Sequence, residues 1–232
     1  MAYRVGLERG AQGGHLAWVL DHPGCFAFGH TELEVLARIP QAVREYFAWL
    51  GAHGIPAAGP GVPEDFQVVE IFEVYTIDEQ FRRGGSREVH AWFLDDWRPL
   101  TEAEVEFGLQ VLAASRTDLE AVVEDLPDPV LDVVLPGQRW SIRGVLRHVA
   151  LEEGTILRHL GRGLGDPPTD VWAHLRAARR ALEEALQDWA GRSLVIGVEG
   201  EFWSPRKALR RAAWHERDHV AHLQLLCSAL GR

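Results

Sequence analysis

At 232 residues the chain is long enough for one large domain or two of ordinary size, each able to bury a core without disulfides or structural metal. Its formal charge of -10 is shared, with 8 basic and 14 acidic side chains in residues 1–100 and 16 and 20 in the rest, so neither half has the basic field that nucleic acid requires, and DNA is not an expected partner. No run of about 18 apolar residues occurs, and the start Met1-Ala2-Tyr3-Arg4 lacks the layout of a signal peptide, which excludes a membrane span and predicts a soluble, cytoplasmic protein.

Tyr3–Leu7 and His15–Asp21 are apolar runs separated by the turn Gly10–Gly14, and His22-Pro23-Gly24 breaks the second before Cys25–Phe28. Three strands in a meander follow from this. A helix opens at Thr31, which forms a capping box with Glu34, and runs through Leu36, Val43, Phe47 and Leu50 with a kink at Pro40. The proline- and glycine-rich stretch 55–63 is a connecting loop. Phe66–Ile77 and Glu88–Leu94 read as two more strands, with a hairpin turn at Gly84-Gly85-Ser86. Cys25 and Cys227, without any Cys-x-x-Cys partner, read as small buried apolar residues.

After Asp96 the apolar period lengthens to about 3.6 residues. A second capping box, Thr101 with Glu104, opens a helix whose face is Val105, Leu109, Leu112, Leu119, Val123 and Leu126, stopped by Pro127. Ser141 caps the next, with Ile142, Val145, Leu146, Val149, Ile156 and Leu160 on one face and its end near Gly161. A third begins near Pro168 or Thr169 and stops at Gly191; Ser204-Pro205 opens the fourth, which ends at Gly231. The predicted class is α+β, a small α/β domain over 1–97 followed by an all-α, up-down four-helix bundle over 98–232.

His215 and His219 are one turn apart and point the same way from the last helix, so they can grip one divalent ion while His148, from the second helix of the bundle, closes the triad. Spacing alone does not carry this, since 11 histidines placed at random give about half of one such pair; the other reading is three hydrogen-bonded histidines in a helical core. Three neutral imidazoles suit zinc, nickel, iron, copper or cobalt, with zinc or nickel leading. Glu152 and Glu216 are the nearest carboxylates that could orient an imidazole or act as a base, against the reading that each is a solvated or helix-pairing charge. His222 is either a neighbour of the site or solvent-facing. Gly161-Arg162-Gly163-Leu164-Gly165 follows a helix and so is an exit turn and not a phosphate loop.

Trp140-Ser141-Ile142-Arg143 at the start of the second helix, His148 on it, and Trp214-His215-Glu216-Arg217-Asp218-His219 on the fourth together resemble the DinB-like superfamily over about residues 98–230. The resemblance implies a four-helix bundle with a divalent metal held by His148, His215 and His219. Several members of that superfamily are metal-dependent transferases acting on small thiols, and many dimerise, so a thiol S-transferase activity and a homodimer are expectations. Val220-Ala221-His222-Leu223-Gln224 departs from the Arg-Gly-Gln type of continuation common in the family, which puts the rim of the pocket in question.

Leu20-Asp21-His22-Pro23-Gly24-Cys25-Phe26-Ala27-Phe28-Gly29-His30-Thr31, followed by a helix ending Tyr46-Phe47-Ala48-Trp49-Leu50, resembles the HicB-type antitoxin domain. The implied role is binding a protein partner, and no DNA-binding segment follows it. Three functions stay open: a metal-dependent transferase on a small thiol, a non-catalytic metal- or ligand-binding regulatory module, and an antitoxin that occludes a ribonuclease.

Overall fold

The computed structural model describes residues 2–77 and 87–231; the expected turn at Gly84-Gly85-Ser86 lies outside them. The protein mixes a small N-terminal sheet with α-helices, six of them among the described residues. The chain divides into two compact units, Met1–Leu100 with Arg192–Arg210 and Thr101–Gly191 with Arg211–Arg232. The expected boundary at residue 97 puts 192–210 with the helices, whereas this segment clusters with the sheet.

In the first unit, β1 (Tyr3–Arg9), β2 (His15–Val19) and β3 (Phe26–Gly29) form the expected antiparallel meander. Helix α1 (Glu32–Ala52) follows, its N-cap Thr31 accepting from the Glu34 amide, and it continues through Pro40. The chain then returns as β4 (Phe66–Glu73), parallel to β1, giving the order β3-β2-β1-β4. Gly29 is required where α1 crosses the sheet, since a Cβ there would lie 2.6 Å from the backbone nitrogen of Val35.

The strand expected over Phe66–Ile77 divides where β1 ends: the Val74 amide makes the last bond to Arg9, and Thr76–Ile77 (β5) pairs instead with Arg87–Glu88 (β6). The strand expected over Glu88–Leu94 is a correction. Val89, Ala91 and Phe93 are buried at alternate positions as a strand requires, but after the Val89 amide, which bonds the Tyr75 carbonyl, the pairing stops: the Ala91 amide donates to the Glu8 carboxylate and the Phe93 amide to that of Asp96. Phe93 packs on β1 where Gly6 leaves room, since a Cβ at Gly6 would lie 2.7 Å from its ring.

The second unit contains α2 (Glu102–Val123), the short α3 (Asp128–Leu131), α4 (Ile142–His159), α5 (Val171–Trp189) and the greater part of α6 (Pro205–Ala229). The capping box at Thr101 and the cap at Ser141 form as expected. Asp170, whose carboxylate accepts from the Ala173 amide, caps α5, which starts at Val171, close to the expected start near Pro168 or Thr169. Leu119, Val145, Leu146, Val149, Leu175, Ala178 and Leu223 lie in one apolar core. The stretch before α6, expected as a linker, holds a hairpin of β7 (Ile196–Val198) and β8 (Glu201–Trp203). No helix among the described residues is long and apolar enough to cross a membrane.

Candidate metal centre

Helix α4 presents His148 and α6 presents His215 and His219 one turn apart. The three Nε2 atoms converge: His215 lies 3.0 Å from His148 and 3.1 Å from His219, and one nitrogen from each ring falls within 4.8 Å of the others. Ring centroids are 4.4–5.0 Å apart, with planes crossed at 67–86°, the disposition of rings aimed at a common point. Metal–nitrogen bonds of about 2.0–2.1 Å at tetrahedral angles would separate the donor atoms by roughly 3.3 Å, close to the two separations that His215 makes.

The chemistry of the donors fits a cation as well. A neutral imidazole has one N–H and one lone pair, so the Nε2 of His215 can make a hydrogen bond to only one of its two neighbours at a time. A divalent ion takes the lone pairs of all three. Burial lowers the pKa of His148, lowers that of His215 well below the usual histidine value with His219 and His148 adding to the effect, and brings His219 down to about 3 with His148 and His222 adding to it. The rings are therefore uncharged at neutral pH, which both their proximity and metal ligation require.

Trp140 stacks on His148, centroids 4.5 Å apart at 23°, and meets His219 edge-on at 6.5 Å; the exposed Arg139 lies over the same indole at 4.6 Å. His222 is bonded through Nε2 to the Gln138 side chain at 3.2 Å, so it is neither solvent-facing alone nor one of the three converging rings. The Nδ1 of His219 has no partner among the described residues, and its ring is held by its place on α6 and by Trp140.

The two carboxylates considered for base chemistry sit differently. Glu152 is half-buried one turn beyond His148 and near enough for its charge to favour the protonated ring. Glu216 is 1% exposed and both its oxygens are engaged: Oε1 accepts from Arg116 Nε at 2.6 Å and Oε2 from Arg179 Nη2 at 2.7 Å. Burial would raise its pKa, but the two guanidinium groups outweigh this and lower it. The same arginines hold Glu153, whose Oε1 accepts from Arg116 Nη2 at 3.2 Å and from Arg179 Nε at 2.9 Å. This closed ring of four buried charges has one member on each long helix of the second unit, α2, α4, α5 and α6. It is missing from the sequence reading, yet it has a signature there: Arg116 falls midway between Leu112 and Leu119 on the core face of α2, and Glu153 between Val149 and Ile156 on that of α4.

A search of curated proteins returned no match. The family model of the DinB superfamily matches residues 112–223, a stretch that contains the three histidines and all four members of the charge ring. Over those residues the chain is DinB-like.

Proposed function

We propose that the second unit is a DinB-like four-helix bundle whose His148, His215 and His219 bind one divalent metal ion, zinc or nickel, and that the protein is a metal-dependent transferase acting on a small thiol. The observation that carries this reading is the convergence of the three Nε2 atoms, 3.0 and 3.1 Å apart along the chain of rings. Members of the matched superfamily often bind a divalent metal. The ion would supply a nucleophile near neutral pH, because a cation lowers the pKa of a coordinated thiol or water. His148, His215 and His219 hold it; Trp140 packs against two of the rings and limits water on that side. Glu152, half-buried beside His148, is the carboxylate placed to orient that ring or take a proton. Elemental analysis of protein purified without an affinity tag tests the reading. Near-stoichiometric metal that disappears in His219→Ala supports it, and equal metal in both proteins defeats it.

A second reading, a non-catalytic metal- or ligand-binding regulatory module, is favoured by the state of Glu216. Its carboxylate is committed to Arg116 and Arg179, which leaves Glu152 as the one base considered. On either reading the first unit is a HicB-like module that binds a protein partner, and the protein is a homodimer. Turnover of a thiol with an electrophilic acceptor separates the two.

A further inference from the structure

We infer that the buried ring of Arg116, Glu153, Arg179 and Glu216 is the positioning device of the metal centre, setting the register of α4 against α6 so that His148 meets His215 and His219. The inference rests on the metal reading above and names what makes the site possible. The two helices that supply ligands also supply the two carboxylates: Glu153 lies five residues beyond His148 on α4, and Glu216 lies between His215 and His219 on α6. The carboxylates are like-charged, and each guanidinium bridges them, Arg116 through Nε and Nη2 and Arg179 through Nε and Nη2.

The arginines are themselves fixed. Arg116 Nη1 donates to the Leu175 carbonyl at 3.0 Å and Arg179 Nη1 to the Leu112 carbonyl at 2.5 Å, so each of the helices α2 and α5 anchors its guanidinium to the backbone of the other. A guanidinium is a planar fork with directional donors. Two such forks, each held on a third side, leave Glu153 and Glu216 little freedom to slide.

Stability does not explain such a ring, because apolar side chains of similar volume commonly hold helices together as well or better. Apolar contacts are non-directional, however, and tolerate small shifts between helices. A metal site does not: a slip of one residue along α4 moves His148 by about 1.5 Å, enough to break a 3.0 Å approach to His215. Directional charges on the same two helices as the ligands provide the register that packing alone lacks.

The test compares zinc affinity, measured on the full chain by competition with a chromophoric chelator, and the absorption spectrum of the cobalt(II)-loaded protein. Glu153→Gln and Arg179→Lys keep the shape of the ring while removing a charge or a fork. Each should weaken zinc binding by about 10–100-fold and shift the cobalt bands. Leu186→Ala, which truncates a fully buried residue of α5 two turns beyond Arg179, should lower stability yet leave affinity and spectrum as in the parent. Ring variants that bind both ions like the parent, or a Leu186→Ala that weakens binding as much as they do, would overturn the inference while the metal reading stands. A parent that takes up neither ion removes both. Should either ring variant fail to fold, Arg116→Lys, which keeps its charge and loses only the fork, gives the same comparison.

Discussion

The carboxylates of Glu153 and Glu216, which Arg116 and Arg179 complete into a charge ring, share helices α4 and α6 with the imidazoles of His148, His215 and His219, yet the two clusters meet burial in opposite ways. In the ring, opposite charges face each other, and three of the four carboxylate oxygens have arginine donors while only Glu153 Oε2 is without a partner. In the triad, like groups face each other, burial lowers the pKa of all three rings, and one nitrogen of each converges with the others, although His215 Nε2 can hydrogen-bond only one of its two neighbours at a time. The charge cluster is completed by protein groups, whereas the three imidazoles offer a donor set that a divalent cation would complete.

The comparison breaks most visibly when the ring loses one member. Arg179→Met leaves two buried carboxylates facing a single guanidinium, and removing one partner of a buried pair costs about 3–5 kcal/mol. Urea unfolding should show that loss without zinc and a somewhat larger one at a fixed zinc concentration, because the weakened site gains less by mass action. A loss below about 1 kcal/mol, the worth of an exposed pair, would mean the ring is more solvated than its burial indicates.

His219→Ala should behave in the reverse manner. With free zinc at about 100 times its dissociation constant the parent gains about 2.7 kcal/mol by mass action, and the variant should gain none. A zinc-dependent rise in melting temperature that survives the substitution would remove His219 from the site.

Acid separates the clusters further. The three histidines titrate near 6.5 when unfolded and below that when folded, so below about pH 6.5 the unfolded chain binds more protons. The stability that they contribute is therefore present above the unfolded pKa and is lost as pH falls toward the folded values, with a slope of about 1.4 kcal/mol per pH unit for each proton. Metal-free His215→Asn/His219→Asn protein should show a shallower fall between pH 6.5 and 5 than the metal-free parent. Equal slopes would mean the rings titrate alike in both states.

What the sequence makes legible follows from how local the cause is. Thr101 with Glu104, Ser141 and Thr31 cap their helices through bonds that span three residues, and such spacing can be read directly. His215 and His219 are likewise one turn apart, and a family resemblance brings in His148 from a distance. The β7–β8 hairpin is not legible, because its two-residue turn puts Glu199 at φ 50° beside Gly200 at φ 81°. A glutamate gives none of the Asn-Gly or Asp-Gly signal that such a turn carries. Residues 89–93 have the burial pattern of a strand, but the amides of Ala91 and Phe93 find side-chain partners in Glu8 and Asp96, which lie far away or beyond the run. The charge ring fails for a related reason: Arg116 and Glu153 fall on the apolar faces of their helices, but which charges on other helices meet them is fixed only by the fold.

The smallest expected effect bears on what holds His148 in place. Ser141 accepts from the Gly144 amide at 3.1 Å and caps α4; Ser141→Ala should cost about 1 kcal/mol by fraying the first turn. His148 sits two turns along the helix, stacked on Trp140, and if Glu153 sets its register as inferred, zinc affinity should be unchanged. Chelator competition on Ser141→Ala decides between two origins of the ligand's position. An affinity that falls together with stability would place the control of His148 at the start of α4, and an affinity that holds would leave that control with the ring.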